Sequence, residues 1–290
     1  MTLKELIDKT ARRLQRARLH YGHGTDNARD EATWLVIRGL GLPFETRLDR
    51  RMNPQAVEEL IQKRISDRIP TAYLLGEAWL DGVPFIVDRR VIVPRSHLAE
   101  VLHETFWFPA TPRKILDVCT GCGCLAILAA RAFPRARVVG TDISTEALAV
   151  ARANITKHRL SRRVRAMRAD LFAGSGYDLI LANPPYVPSR MMRKLPPEYR
   201  WEPGLALAGG ADGLDLVRRI LARAPGYLSS GGILVCEVGD GKRAVERAYP
   251  RAAFIWPRPE VFIASRDALV ATARRGAAPR RPSRRARASR

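Results

Sequence analysis

One stretch of the chain places a carboxylate directly before a glycine-rich turn. Residues 115–118 read Ile-Leu-Asp-Val and predict a buried strand, and Gly121 and Gly123 follow it before a helix begins. Glycine lets the backbone turn tightly and approach a ligand closely. The spacing Gly121-x-Gly123-x-x-Ala126, with Asp142 19 residues after Gly123, also fits a dinucleotide-binding turn. The turn therefore predicts a nucleoside-containing cofactor and leaves its identity open.

The acidic residues around this turn favour S-adenosylmethionine over a dinucleotide. A carboxylate at Asp117, inside the strand, would repel a pyrophosphate but suits the ammonium and sulfonium groups of S-adenosylmethionine. Asp142, at the end of the next strand, is expected to accept hydrogen bonds from ribose hydroxyls with either cofactor. Asp170 closes a further strand, where a carboxylate could lie beside the adenine. The predicted cofactor site comprises Asp117, Thr120, Gly121, Gly123, Asp142, Ile143, Asp170, Leu171 and Asn183.

The most informative stretch is Asn183-Pro184-Pro185-Tyr186, directly after the apolar run 179–182. Proline fixes its own backbone and pushes the preceding residue toward an extended conformation, so Asn183 and Pro184 are both held stiffly. Neither proline has an N–H group, which leaves the neighbouring carbonyls free as acceptors, and the Asn183 side-chain oxygen is another acceptor. These four residues, Asn183 to Tyr186, form the predicted catalytic site.

Two fixed acceptors meet the needs of methyl transfer to a planar nitrogen. An amide lone pair is delocalised into its carbonyl, so the nitrogen is a poor nucleophile. The Asn183 side chain and the Pro184 carbonyl can hold both N–H groups, aim the nitrogen at the methyl group and stabilise the positive charge that develops. Tyr186 can pack against the planar group and exclude water. No strong base is needed beforehand, because the proton can leave after the transfer.

Three other functions stay open on these residues. An adenine N6-methyltransferase acting on DNA or RNA would use the same two acceptors on a planar amino group, although no separate base-recognition domain is evident. A nicotinamide-dependent oxidoreductase would bind its cofactor at the glycine turn but leave the Asn-Pro-Pro-Tyr run unexplained. A noncatalytic RNA-binding module would leave the cofactor turn unexplained.

The cysteines and histidines do not favour a metal site. Cys119, Cys122 and Cys124 have ligand-like spacing, but a tight glycine turn would point their side chains in different directions. The five histidines form no cluster in the sequence. We expect no metal, and reduced thiols indicate a cytoplasmic protein, as does the lack of a secretory leader pattern or a long apolar run.

The chemical residues lie on a pattern of alternating strands and helices that begins at residue 114. Strands are predicted at 114–118, 137–141, 163–168, 177–182 and 231–237, with a closing pair near 252–256 and 260–264. Helices are predicted at 124–132, 144–158 and 212–224. This alternation predicts an α/β fold with a Rossmann-like, mostly parallel sheet and helices on both faces. Ligands bind such sheets at the carboxyl ends of the strands.

A different pattern precedes the α/β region. Helices are predicted at 2–20, 27–39 and 53–68, and strands at 72–80 and 83–93 flank the turn dipeptide Asp81-Gly82. We therefore divide the chain into four parts: a helical docking domain (1–70), a β-hairpin linker (71–95), a methyltransferase domain (96–273) and an arginine-rich tail (274–290) that is predicted to be disordered.

The chain carries a formal net charge of +21. Residues 274–290 hold eight arginines and no acidic residue, so the remaining 273 residues carry +13. A basic body of this kind suggests work near nucleic acid, and a ribosomal particle would fit. A coding bias toward arginine explains the composition equally well, so the charge decides nothing by itself.

The two motifs together, residues 117–124 and 183–186, resemble those of the HemK/PrmC protein-glutamine methyltransferases. That family has a helical N-terminal domain, a β-hairpin linker and a Rossmann-like catalytic domain, the order found here over roughly residues 25–270. Residues 76–79 (Gly-Glu-Ala-Trp) and 93–96 (Val-Pro-Arg-Ser) are closer to the branch that methylates large-subunit ribosomal protein L-three. Residues 119–121 and 237–239 also resemble that branch. The release-factor branch usually has proline in place of Ser96.

The resemblance implies N5-methylation of a glutamine in ribosomal protein L-three, alone or in an assembling large subunit, with S-adenosylmethionine as the cofactor. Asn183 and the Pro184 backbone would bind the glutamine amide, and Asp142 with the glycine turn would hold the cofactor. A release factor is the alternative substrate within the family. Cys122 departs from the serine more usual in this branch, and the tail lies outside the family pattern. We hypothesise that the tail adds nonspecific affinity for rRNA.

Overall fold

The computed structural model describes residues 1–108 and 111–276, with the backbone alone for residues 274–276. Four helices and a hairpin make up its N-terminal part: α1 (Leu3–Arg16), α2 (Ala28–Gly39), α3 (Gln55–Ser66), α4 (Thr71–Leu75), β1 (Glu77–Leu80) and β2 (Val83–Ile86). The predicted capping box is present at the start of α1, where Thr2 and Glu5 each accept a backbone N–H of the other. Apolar side chains from the first three helices form a core of their own.

The predicted strand at 72–80 is wrong over its first half. Residues 71–75 form α4 instead, because Pro70 precedes a helix start as readily as it ends a helix. The short helix ends at Gly76, whose φ of 66° is left-handed. The predicted turn is confirmed, since Asp81 and Gly82 have φ values of 54° and 68°, as a tight hairpin requires.

The second predicted strand of the hairpin, 83–93, is also too long, because β2 ends at Ile86. Beyond it the Asp88 side chain accepts a hydrogen bond from the Arg90 backbone N–H at 3.0 Å and turns the chain. The hairpin register pairs Glu77 with Ile86 and Leu80 with Val83.

The rest of the described chain forms the α/β region. Its strands are β3 (Lys114–Val118), β4 (Arg137–Asp142), β5 (Val164–Arg168), β6 (Tyr177–Ala182), β7 (Leu228–Glu237), β8 (Ile255–Arg258) and β9 (Val261–Ser265). They form one sheet in the order β5-β4-β3-β6-β7-β9-β8. Strands β3 to β7 are parallel, whereas β9 is antiparallel to its neighbours β7 and β8. The predicted Rossmann-like architecture is confirmed, including the closing strand pair.

Helices cover both faces of this sheet. They are α5 (Leu98–His103), α6 (Cys124–Ala132), α7 (Thr145–Lys157), α8 (Ser189–Met192), α9 (Asp215–Arg223), α10 (Lys242–Ala248) and α11 (Arg266–Gly276). One apolar core packs α5, α6, α7 and the hairpin against one face, and a second packs α9, α10 and α11 against the other. Within the described residues, no helix has both the length and the apolar character needed to cross a bilayer.

The sequence did not predict α10 or α11. Helix α11 extends to Gly276, three residues into the segment predicted as a disordered tail, and residues 277–290 lie outside the described part of the chain. Both helices follow strands of the antiparallel end of the sheet, where the alternation that predicted the earlier helices no longer holds.

Buried ion pairs attach the segment after α8 to the N-terminal helices. The Arg64 side chain of α3 is 1% exposed and contacts the carboxylates of Glu31 and Glu198. Glu198, fully buried, also accepts hydrogen bonds from the His20 backbone N–H at 2.9 Å and from Arg68 at 3.2 Å. These charges stabilise the fold only while all of them are present, since an unpaired buried charge is costly.

We expect Arg64→Ala to destabilise the protein by about 3–5 kcal/mol, because it strands the buried Glu31 and Glu198 carboxylates. Urea unfolding followed by circular dichroism measures this change. Lys63→Ala, one residue away, removes an exposed pair with Glu59 and should change the unfolding midpoint little. Equal midpoint shifts for the two variants would show that the buried network adds nothing.

Candidate functional site

A cavity of about 210 Å³ lies at the carboxyl ends of β3, β4, β5 and β6. Several residues of the predicted cofactor site line this cavity. They span more than 60 positions of the sequence, and the parallel pairing of the strands brings them to one edge of the sheet. The predicted cofactor residues that line the cavity are Gly121, Asp142, Ile143, Asp170, Leu171 and Asn183, and Pro185 of the predicted catalytic site lines it as well. Most of the lining is apolar, with exposed Ile143 and Leu205 at its edge.

The glycine turn has the tight geometry that the sequence predicts. Gly121 and Gly123 have φ values of 54° and 82°, which disfavour any side chain. A Cβ at Gly123 would also lie 3.2 Å from the Ala151 Cβ, so this glycine lets α6 approach α7 closely. Gly123 therefore shapes the turn without lining the cavity.

Asp142 connects the glycine turn to the start of α7. Its carboxylate accepts hydrogen bonds from the backbone N–H groups of Gly121 and Ser144, both at 3.0 Å. Each carboxylate oxygen retains a further lone pair, and the side chain lines the cavity. A carboxylate held in this way is suited to accept hydrogen bonds from a diol.

Asp117 and Thr120 lie beneath the cavity and do not line it. One Asp117 oxygen accepts hydrogen bonds from Thr120 Oγ1 at 2.5 Å and from the Ala126 backbone N–H at 3.0 Å. The other oxygen is buried and has no hydrogen-bond partner among the described residues. Burial raises the pKa of Asp117 to about 7, and the two hydrogen bonds oppose that rise. One oxygen of Asp117 thus caps α6, and the expected contact of Asp117 with a cofactor stays a prediction.

Asp170 lines the cavity, where its expected place beside an adenine stays a prediction, and it is paired with arginine side chains. Its carboxylate accepts a hydrogen bond from Arg219 at 2.5 Å and lies 3.9 Å from Arg223. Leu171, next to it, has a φ of 73° and is buried in the cavity wall. Arg219 lines the same cavity, so a cation accompanies the carboxylate at this end.

A second cavity, of about 120 Å³, adjoins the first at Asn183. Asn183 follows β6 directly and lines both cavities, whereas Pro184 and Tyr186 line only the second. Within the described residues, neither the Asn183 side chain nor the Pro184 carbonyl takes part in a hydrogen bond. Both predicted acceptors are therefore free, side by side, where the two cavities meet.

The Tyr186 ring is held from behind by Glu237, the last residue of β7. The Tyr186 hydroxyl donates to Glu237 at 3.2 Å, and the Ser96 hydroxyl donates to the same carboxylate at 2.6 Å. Burial raises the pKa of Glu237, and the Ser96 hydrogen bond opposes that rise. The sequence singled out residues 237–239 as a family feature without giving Glu237 a role at the site.

Arg95 forms a wall of the second cavity. It donates to both oxygens of the buried Glu202, at 2.6 and 2.7 Å, and its guanidinium lies 5.3 Å from the centre of the Tyr199 ring. Burial would raise the pKa of Glu202, but the hydrogen bonds from Arg95, with the His23 ring 3.7 Å away, outweigh that burial and lower the pKa to about 2. No local signal predicts this pairing, since Arg95 and Glu202 are 107 positions apart.

The three close cysteines remain separate thiols. Cys119 lies in the turn with a φ of 59°, and burial raises the pKa of its thiol. Among the residues that the structure describes, no group of three or more histidine, cysteine or acidic side chains is arranged to hold a metal ion.

The chain is similar to known proteins over most of its length, and not only at this site. Residues 96–194 match a family model described as the methyltransferase small domain. The ribosomal protein uL3 glutamine methyltransferase of Bordetella pertussis is 51% identical over 268 residues, which cover 88% of this chain and 90% of that protein. The Burkholderia pseudomallei protein of the same name is 44% identical over a stretch that covers 88% of this chain and 90% of that protein. Among solved structures, a Pyrococcus furiosus methyltransferase has a TM-score of 0.47 and 19% identity, covering 64% of this chain and 90% of that one.

We expect Asp117→Asn to flatten part of the pH dependence of stability. Because the Asp117 pKa is raised in the fold to about 7, ionisation costs stability as the pH rises from about 4 to 7. Asparagine can accept the same two hydrogen bonds and does not ionise. Urea unfolding at several pH values should therefore show the variant gaining stability relative to the wild type across that window, and parallel curves would contradict the raised pKa.

Proposed function

The chain belongs to the ribosomal protein uL3 glutamine methyltransferases, and from this membership we propose how its site acts: Asn183 and Pro184 present a glutamine amide of uL3 to S-adenosylmethionine. The enzyme is a protein-glutamine methyltransferase, and uL3 is the large-subunit protein L-three of the sequence prediction. The observation that supports the proposed site is the pair of free acceptors at the junction of the two cavities.

The first cavity suits S-adenosylmethionine. Asp142 would accept the ribose hydroxyls, while Ile143 and Leu171 would provide apolar contact to the adenine. Asp170 and Arg219 would lie at the adenine edge. Asp117 lies behind the turn, and in its ionised form it favours a cationic ligand and disfavours a pyrophosphate. These residues fit the cofactor, which supplies an electrophilic methyl group on sulfur.

The second cavity would receive the glutamine side chain. The Asn183 side-chain oxygen and the Pro184 carbonyl accept the two amide N–H groups and turn the nitrogen toward the first cavity. As the nitrogen–methyl bond forms and the sulfur–methyl bond breaks, positive charge develops on the nitrogen, and both acceptors stabilise it. The surplus proton then leaves to water, so no residue must act as a base before the transfer.

The walls of the second cavity favour a neutral amide. Arg95 contributes a guanidinium that stays charged, which disfavours entry of a lysine or arginine side chain. Tyr186 and Tyr199 contribute aromatic surface that suits a planar group. The substrate would be uL3 alone or in an assembling large subunit, and a cytoplasmic location fits either form.

We expect Asn183→Ala to lower kcat for uL3 methylation by about 100- to 1,000-fold, the usual effect of removing one preorganised hydrogen-bonding group. Purified protein, methyl-labelled S-adenosylmethionine and unmethylated uL3 provide the assay. Asn53→Ala is the matched control, because Asn53 is exposed and caps α3 away from both cavities.

The same assay separates the other substrates. A class I release factor and RNA or DNA are incubated in parallel with the enzyme. Label on the release factor alone would retain the amide chemistry and overturn the uL3 assignment. Label on nucleic acid alone would mean that the two acceptors bind an adenine amino group.

We expect Asp142→Asn to weaken S-adenosylmethionine binding by about 10- to 100-fold, since hydrogen bonds to a charged group contribute about 1.5–3 kcal/mol. Isothermal titration calorimetry measures the affinity. Asp170→Asn is the control with the same change in charge, and it should have a smaller effect because Arg219 already engages that carboxylate. A larger loss for Asp170→Asn would reverse the roles given to the two carboxylates.

A further inference from the structure

A second concentration of positive charge lies inside the folded part of the chain. Residues 118–169 hold ten basic and two acidic residues, an excess of eight. That equals the excess of the tail at 274–290, so the two segments account for 16 of the 21 net charges. No acidic residue occurs between Glu146 and Asp170. The excess is therefore localised, which a general coding bias toward arginine does not explain.

The fold gathers most of these charges near the amino-terminal ends of β4 and β5, whereas Arg168 lies at the carboxyl end of β5. The Arg163 side chain donates to the backbone carbonyls of Ala130, Phe133 and Ala136, at 2.8, 3.4 and 3.3 Å. The Arg163 carbonyl accepts from the Val138 backbone N–H at 2.8 Å. These bonds hold the loop before β4 and the loop before β5 side by side.

The two loops and the adjoining edge strand β5 present one arginine surface to solvent, which we name the basic edge. All of its members are exposed: Arg131, Arg135, Arg137, Arg159, Arg162 and Arg165. Within the described residues, none of the six forms an ion pair or a side-chain hydrogen bond. Some exposed arginines elsewhere are paired, as Arg218 is with Asp212 and Arg47 with Asp49. The charge of the basic edge is thus not neutralised within the described chain.

The chemistry of this surface fits a phosphate backbone. Guanidinium groups bind phosphate oxygens through paired hydrogen bonds, and a row of them neutralises successive phosphates of a helix. Double-stranded RNA is recognised largely by its shape and phosphates, which needs no base-reading element. Strand β5 lies at the edge of the sheet, so a rigid helix could approach it without hindrance from another strand.

We propose that the basic edge binds the phosphate backbone of double-stranded RNA, and that in the cell this RNA is rRNA next to uL3. The choice of rRNA rests on the proposed function. The loops of the basic edge lie at the opposite end of β4 and β5 from the cofactor cavity, roughly 20 Å along a six-residue strand. RNA could therefore stay bound while a glutamine occupies the second cavity.

The test compares two triple variants of the full chain. The first variant removes three charges from the basic edge through the substitutions Arg131→Gln, Arg135→Gln and Arg162→Gln. The second variant is the matched control and removes three exposed arginines of α1 and α10 through the substitutions Arg12→Gln, Arg243→Gln and Arg247→Gln. Fluorescence anisotropy with an RNA duplex of about 20 base pairs, between about 50 and 400 mM KCl, gives the affinity and its salt dependence.

We expect the basic-edge variant to lower the slope of log K against log salt by about three and the affinity by about tenfold or more, while the control stays near the wild type. Equal losses in both variants would overturn the proposal, as would binding to anionic phospholipid vesicles in place of RNA. Methylation of free uL3 is measured in parallel. If the wild-type protein methylates free uL3 but does not bind RNA, the proposal for the basic edge fails and the proposed function stands. If the wild-type protein does not methylate uL3, but the basic-edge variant loses RNA binding and the control does not, the proposed function fails and the basic edge stands.

Discussion

The buried carboxylate of Glu237 fixes the geometry on which the rest of the site depends. It accepts hydrogen bonds from the Tyr186 hydroxyl, from Ser96 Oγ at 2.6 Å and from the His97 backbone N–H at 3.1 Å. A buried carboxylate is costly unless its oxygens are satisfied, so all three donors are held to one position. One of them belongs to the tetrapeptide 183–186, the predicted catalytic site, and the other two directly precede α5. The end of β7 therefore fixes the position of Tyr186 relative to the start of α5.

Close packing around Tyr186 reinforces this arrangement. A Cβ at Gly239 would lie 2.6 Å from the Tyr186 ring, and Cβ atoms at Gly209 and Gly213 would lie 2.7 and 2.4 Å from its backbone. Three glycines from two separate loops thus leave only enough room for the tetrapeptide. Since the prolines also restrict its backbone, Asn183 and the Pro184 carbonyl keep their orientation without hydrogen bonds of their own. The acceptors can stay free for a substrate because other groups hold the backbone.

Local pattern predicted the elements that bring the site together, and it failed where partners are distant in sequence. The alternation from residue 114 placed Asp142 and Asn183 at strand ends, and the parallel sheet then brings them to one cavity. The same reasoning did not foresee that Asp117 caps α6 or that Asp170 pairs with Arg219. Such pairings depend on tertiary packing. The domain boundaries at 70 and 95 stay a prediction, as do the roles of the site residues.

The segment between the tetrapeptide and α9 connects the N-terminal helices to the second cavity. Two buried carboxylates four residues apart point to different parts of the molecule: Glu198 pairs with Arg64 of α3, and Glu202 pairs with Arg95 in the wall of the second cavity. Buried ion pairs contribute little net stability compared with apolar contacts, but they tolerate few alternative geometries. The two pairs therefore fix the position of this segment against α3 and against Arg95. The second cavity is thereby held at a fixed distance and orientation from the N-terminal helices.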